Sequence, residues 1–600
     1  MSAKDLQAVY NATSLYSSGF NGTGQTIGIL DFYGSPTIAS DLQSFDQIFG
    51  FPNPSFTITP IGPYAPNLGV SVGWSTEVSL DVEMSHAMAP GAAVQLYAAN
   101  GALTLADALA VIVQNDTVTT LSQSFGIPEW YFSMSHYFGG PAFVALNALI
   151  PDQYYALGSL EGITFMASTG DGGGSGFSSG PEGTPEYPAT SPFVTAVGGT
   201  QTYLSAAQGG GMTFVQTAWS NIGFVPNSVN EGGGGGGVSI LEPRPWYQQS
   251  QQVPASFPNG RLNPDLSLQA GVSPGTYIVD SGSVMVSGGT SESTQLLSGL
   301  LTLVAQSTGG NLGSINPFLY GVGNDASTYS RAYTPVTTGY VVPWTSSYGY
   351  NLATGWGAPN IGVLASLYGP YSGQPSLSIT VSALNSTGQP VDEITPGQNL
   401  TVGADIEQGS SAVVSGNFTA SLVTLAGTSL VTPLSFNATS GLWEGMMTEG
   451  NQSGIAYVSV TGSSAGVSGT GIATIFAGYL ASFINPFANN PWSTVTPLEV
   501  DVASTDLQGN SAPAQPILME VDPYSITTNL YTTVSTVTLH GDSTTGVSTG
   551  FLSDTYPYGP LALVLQGSSY AYLPMVNGIY LQSSYIFTQV AAEPGSVAPG

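Results

Sequence analysis

Cysteine is absent from the 600 residues, which removes disulfides, thiolate metal sites and cysteine nucleophiles at once. Positive charge is nearly absent as well. Lys4, Arg244, Arg261 and Arg331 stand against 35 Asp and Glu, for a formal net charge of −31. Nucleic acid and anionic membranes are poor partners for such a surface. Charge of either sign is scarce, at 6% of residues, and the histidines are three: His86, His136 and His540. Chemistry that depends on imidazole therefore has few places to reside. Long apolar runs are also missing, so no membrane-spanning helix is expected. The opening MSAKDLQAVYNATSLY has neither the basic start nor the apolar centre of a signal peptide.

Scarce charge also describes an environment. In strong acid most carboxyls are protonated, and this chain would then carry seven basic side chains, four Lys plus Arg and three His. Self-repulsion and the loss of paired carboxylates, two main routes to acid unfolding, are both limited. Apolar burial and hydrogen bonding must hold the fold, in keeping with 42% hydrophobic and 10% aromatic residues. An acidic extracellular or cell-surface setting is expected, with an unspecialised acidic exterior as the plainer alternative. Eight Asn-X-Ser/Thr sequons, at Asn11, Asn21, Asn115, Asn385, Asn399, Asn417, Asn437 and Asn451, are compatible with a glycosylated exterior.

What is present is a regular order of elements. Short β-branched runs such as QTIGILDF, AAVQLYAA, TTLSQSF, ITFMAST and FVTAVGGT alternate with helical patterns such as LTLADALAVIVQN. Strand, helix, strand in that order implies an α/β fold with a doubly wound parallel sheet over residues 1–370. The Gly/Pro-rich break YGPYSGQP follows, and the pattern then changes to short alternating strands such as SLSITVSAL, LTVGADI and YVSVTG. These predict all-β sandwiches over 371–475 and 476–600. The run Gly232–Gly237 lacks the strand-to-helix context and trailing Lys of a phosphate loop and reads as a flexible loop.

Three segments carry candidate chemistry. GGTSEST sets Ser291 at the start of the apolar helical run QLLSGLLTLVAQ, a place where a serine can be a nucleophile if a base takes its proton. STEVSLDVEMSHAMAPGA places Glu77, Asp81 and Glu83 close together in a chain otherwise poor in acid. Glu77 and Asp81, four apart, share one face of a helix. That face is either a solvated acidic stripe or a buried pair sharing a proton, able to accept and return one in acid. In FMASTGDGGG, Asp171 closes a strand, either as an ordinary turn residue or as a protonated donor to an oxyanion. His86, five residues after Asp81, leaves an imidazole base open as an alternative.

Together these segments resemble the sedolisins, the serine-carboxyl peptidases of subtilisin-like fold. The resemblance runs over residues 4–367 through LQAVYN, EVSLDVEMSHAMAPGA, LSQSFG, STGDGG, YPATSPFVTAVGGT, GGGVS, RLNPDLSL, GGTS and TGWGAPN. It implies a secreted, acid-active endopeptidase that hydrolyses polypeptides through an acyl-enzyme. Carried over by position, it implies Ser291 as nucleophile, Glu77 as general acid/base, Asp81 hydrogen-bonded behind Glu77, and Asp171 at the oxyanion site. Asp31 in GILDFYG and Trp130 in FGIPEW stand where some members extend the hydrogen-bond chain behind the glutamate. The family also implies an N-terminal prodomain that assists folding and blocks the cleft. None is visible, and a processed or truncated form is expected.

The chain departs from the family pattern at the calcium site near the end of the catalytic domain. The family's segments resembling HDIT and GWDPxTG are here YTPVTTG and GYNLATG, with Pro335 and Asn351 where two aspartates are expected. Losing both removes the main attraction for a hard cation, and Asp325 nearby is out of register. No cofactor and no tight calcium are expected. The competing function is a surface-layer or adhesive protein in which the peptidase-like domain is a non-catalytic scaffold.

Overall fold

The computed structural model describes residues 1–101, 104–133, 147–148, 150–173, 185–206, 212–220, 232–251, 260–341 and 343–368, and discontinuous segments between 377 and 588. Its centre is an eight-stranded sheet. Seven strands are parallel, in the order Leu266–Gln269, Val194–Ala206, Thr164–Ser168, Thr120–Gln123, Thr26–Phe32, Ala93–Ala99, Phe56–Ile61. Met212–Ala218 adds an antiparallel strand beside Val194–Ala206. A parallel sheet covered on both faces needs apolar side chains on both, which is why QTIGILDF reads as a run. Within it, Ile27 and Ile29 enter one core and Leu30 the other, as the period of two requires.

Helices Trp74–Met88 and Thr290–Thr308 belong to the first core, and helices Leu105–Asn115 and Ile150–Leu160 to the second. Helix Thr290–Thr308 is buried at every residue from Thr290 to Ala305, so it is enclosed on all sides rather than amphipathic. The chain runs from Thr26–Phe32 out to Phe56–Ile61, returns to Ala93–Ala99, and crosses to the opposite side at Thr120–Gln123. Strand order therefore reverses at Thr26–Phe32. In open α/β sheets such a reversal leaves a crevice at the carboxyl ends of the strands.

Beyond residue 377 the described elements are strands, mostly antiparallel. Those from Ser378 to Ala477 make a six-stranded and a five-stranded sheet sharing a core that includes Val402, Phe418, Trp443, Val458 and Ile475. Those from Leu480 to Thr588 make one ten-stranded antiparallel sheet. Among the described residues, no helix is long and apolar enough to cross a membrane.

The glycine run is not the flexible loop its composition indicates. Gly233 and Gly235 donate backbone hydrogen bonds to Asp171 and Gly170, and Gly173 donates back to Gly233. A Cβ on Gly235 would sit 1.7 Å from the Thr169 carbonyl oxygen, and one on Gly232 would sit 2.7 Å from the Trp219 ring. The run is glycine because main chain packs on main chain there, beneath the segment that carries Asp171.

Candidate active site

Asp31, Glu77, Asp81 and Asp171 come together near the carboxyl ends of the parallel strands, whereas Glu83 points elsewhere and accepts from the Val279 backbone N–H. Helix Trp74–Met88 carries Glu77 in its first turn and Asp81 one turn later, so both carboxyls lie on one face. Asp31 ends strand Thr26–Phe32 at the carboxyl edge of the sheet. Asp31 and Asp81 are fully buried and Glu77 is half-buried. The solvated helix face considered from spacing alone is thereby excluded for Asp81.

Buried carboxyls require donors, and here the donors are few. Asp81 Oδ2 accepts a hydrogen bond from Gln295 Nε2 at 2.6 Å. Asp81 Oδ1, Glu77 Oε1 and both oxygens of Asp31 receive none from an amide or hydroxyl. Protons shared among neighbouring carboxyls are one way to satisfy such atoms. Burial pushes Asp31 well above its ordinary range, and the charge of Glu77 adds to the effect. Asp81 is raised by burial and by Asp31 and Glu77, against the hydrogen bonds of Ser124 and Gln295. Burial lifts Glu77 to about 7, with Ser291 hydrogen bonding opposing it and Asp171 adding to it.

Ser291 lies in the first turn of helix Thr290–Thr308, 8% exposed. The turn into that helix requires Gly289, whose φ of 107° is left-handed, and a Cβ there would meet Asp171 Oδ2 at 2.7 Å. Asp171 Oδ1 accepts from the Thr290 backbone N–H at 2.7 Å and from the Thr290 hydroxyl at 2.8 Å. Two donors fix Oδ1 as the acceptor, so Oδ2 is the oxygen left to carry a proton. Burial raises the Asp171 pKa, and the Thr290 hydrogen bonds oppose that rise.

Among the described residues no cation offsets this cluster. Arg261 pairs with Asp265 at 2.7 Å, and His86 Nε2 lies 3.1 Å from Asp46 Oδ1. His86 is fully buried, and its Nε2 lies 3.0 Å from the Pro52 carbonyl oxygen as well as beside Asp46. That imidazole is engaged elsewhere on its helix. Trp130 lies in the short helix Glu129–Ser133, ring against Tyr131 at 4.1 Å, and its buried Nε1 has no hydrogen-bond partner. It makes no hydrogen bond to the carboxyl cluster.

Near the expected calcium segments the Asn351 amide is held by its own loop. Asn351 Nδ2 donates to the carbonyl oxygens of Ser347 at 3.0 Å, Gly349 at 3.3 Å and Gly355 at 3.5 Å. Its Oδ1 accepts from the Ala353 and Thr354 amides and the Thr354 hydroxyl, at 3.0–3.1 Å. Carbonyls that could surround a cation are turned onto the amide group. Pro335 offers no side-chain ligand. Asp325 caps the helix Ala326–Ala332 by accepting from Ser327. No cluster of three or more His, Cys, Asp or Glu suited to a metal occurs among the described residues.

The structure adds groups that sequence reasoning passed over. Gln295, four residues after Ser291, is fully buried and links Asp81 to Ser122 and Ser124. A buried amide on the same helical face as a candidate nucleophile was the available signal. Thr290 anchors Asp171, and Glu186 packs its carboxyl against the Cα positions of Gly126 and Gly170 beside it. Burial and the charge of Asp171 raise Glu186 to about 8.

A serine at a helix start, faced by carboxyls in place of imidazole on a reversing parallel sheet, defines a serine–carboxyl arrangement on a subtilisin-like fold. The chain is similar in sequence to the sedolisins over about half its length. It is 29% identical over 312 residues to kumamolisin of Bacillus sp. (strain MN-32), covering 51% of this chain and 53% of that protein. It is 27% identical over 366 residues to sedolisin of Pseudomonas sp. (strain 101), covering 59% of this chain and 58% of that one. The solved structure of Pseudomonas sedolisin with two molecules of pseudo-iodotyrostatin shares the fold. There the TM-score is 0.51 at 23% identity, over 61% of this chain and 96% of that chain. The chain thus spans little more than half the length of the two curated relatives. No protein-family model matches it.

Proposed function

We propose that this chain is an acid-active serine-carboxyl endopeptidase that cleaves polypeptides outside the cell. The observation that carries the reading is the meeting of Ser291, Glu77, Asp81 and Asp171 in one crevice without a neighbouring cation. Ser291 Oγ attacks the peptide carbonyl carbon while its proton passes to Glu77, whose own shared proton moves toward Asp81. Asp171 Oδ2–H donates to the developing oxyanion. Collapse breaks the C–N bond, and Glu77 returns a proton to the leaving amine, giving an acyl-enzyme. Water activated by Glu77 then releases the acid and restores Ser291.

The working form has one negative charge shared over the Asp31–Glu77–Asp81 cluster. It lies between two macroscopic ionisations, the second opposed by the charge the first creates. Incubation with an unfolded polypeptide across acid to neutral pH, with sequencing of the products, tests the reading; no internal cleavage at any pH would refute it. Asp171→Asn separates the oxyanion donor from the base, because an amide donates at every pH. If ionisation of Asp171 sets the alkaline limb, the variant keeps proportionately more activity at the high end than wild type does. A fall in step with wild type assigns that limb to the cluster.

Calcium is not part of the proposal, because the loop at Asn351 supplies its own donor. The melting temperature of wild type is expected to stay put on chelation or on adding calcium. Asn351→Asp turns a donor into a carboxylate facing three carbonyl oxygens and should cost roughly 1–3 kcal/mol near neutral pH. Added calcium should narrow that deficit. A sharp drop in wild-type melting on chelation would show a cation held by other ligands.

A further inference from the structure

Gln295 sits one turn below Ser291 on the same helix and is fully buried. Its side chain is used at both ends. Nε2 donates to Asp81 Oδ2 at 2.6 Å and to Ser124 Oγ at 3.1 Å, while Oε1 accepts from the Ser122 hydroxyl at 2.7 Å. Ser122 belongs to strand Thr120–Gln123, next to the strand that carries Asp31. The serine hydroxyl holds the far end of the amide while Nε2 faces the carboxyl. We propose that Gln295 is a positioning residue of the proton relay, holding Asp81 in one orientation and favouring the state in which Asp81 is the proton acceptor.

The inference rests on the serine-carboxyl reading above and assigns a task within it. A relay from Ser291 through Glu77 ends on Asp81, so Asp81 must be ready to receive a proton in a site where burial opposes its ionisation. An N–H donor on Oδ2 stabilises the ionised form and leaves Oδ1, the oxygen lacking an amide or hydroxyl donor, to take the proton. Because Gln295 and Ser291 share one rigid helix, nucleophile and relay terminus keep a fixed separation.

Of the titratable groups on the elements packed around helix Trp74–Met88, Asp31 and Glu77 act on Asp81. Asp41, Asp46 and Asp280 act on Glu83. Glu292 bonds Thr276, Asp5 caps its own helix at Ser2, and Lys4 lies over the Phe51 ring. Among the described residues no positive group substitutes for the amide at Asp81 Oδ2.

The test is the pH dependence of kcat and of kcat/KM for Gln295→Met, which keeps the length of the side chain and removes its donor. Without that donor the cluster holds its protons more tightly. Both limbs should move to higher pH by about one unit, the difference a hydrogen bond to a charged group makes, and kcat should fall about tenfold or more. Ser122→Ala frees the amide to rotate and is the gentler companion, expected to shift the limbs in the same direction by less. Folding of each variant is followed by its melting curve. Folded variants with unmoved limbs would overturn the role of Gln295. Absence of cleavage by wild type would instead overturn the peptidase reading.

Discussion

Replacement of Ser291 by alanine should reduce cleavage of an unfolded polypeptide by at least about a thousandfold, the scale on which serine nucleophiles are missed. Only one hydroxyl is lost. The corner that presents it is built by Gly289, by Thr290 and by the Asp171 carboxyl, none of which depends on that oxygen. The melting temperature should therefore stay within a few degrees of wild type. Glu77→Gln should be nearly as damaging, because a carboxamide of the same shape cannot take the serine proton. Removing an acid from the cluster should also raise stability toward neutral pH, so the lost activity would not trace to unfolding. Activity within tenfold of wild type in Ser291→Ala would reject the nucleophile. The same result in Glu77→Gln would reject the base while leaving Ser291 in place.

A second large effect is expected on stability. Melting temperature should be highest in acid and fall as pH rises through the neutral range. Burial raises Glu83 to about 10, with Asp41, Asp46 and Asp280 adding to it, and raises Glu186 and Glu292 to about 8. These folded values lie above the ordinary 4.5 of the unfolded chain. Below about pH 4 both states hold the proton and these groups do not discriminate. Above it the unfolded chain releases protons that the folded chain retains. Each such group then favours unfolding by about 1.4 kcal/mol per pH unit until its folded pKa is reached. The loss should begin near pH 5, be steepest up to about pH 8 and continue through Glu83 to about pH 10, with a fall in melting temperature of about 10 °C or more by pH 8. Calorimetry from pH 3 to 8 measures it. A flat or rising curve between pH 5 and 7 would show that these carboxyls ionise in the fold.

The fold was largely legible because alternation of buried strands and helices leaves its mark on every element. GILDF, AAVQLYAA and ITFMA are short strand-like runs set between helical patterns, whereas the reversal of order at Thr26–Phe32 is visible only in the structure. Glu77 and Asp81 could be placed on one helical face by spacing. Their burial could not, since the same spacing suits a wet surface. Asp31 and Gln295 reach that face from a strand and from a helix more than two hundred residues apart. A one-dimensional pattern carries no signal for such a meeting. The glycine run misled for a related reason: lack of side chains reads as freedom, whereas here it permits backbone to lie on backbone beneath Asp171.

Asn351 gives the loop from Ser347 to Gly355 a chemical lifetime. Asparagine is among the thermolabile residues, and hydrolysis of its amide yields aspartate in place. At this position that change would reverse the polarity of the group facing three carbonyl oxygens and turn a loop that closes on itself into one that calls for a cation. A stored or heated preparation would then divide into two populations, fresh and aged, distinguished by acidic mobility and by their response to calcium. The six hydrogen bonds that hold the amide restrain the side chain and slow this ageing, so the network that closes the loop also sets how long it stays closed.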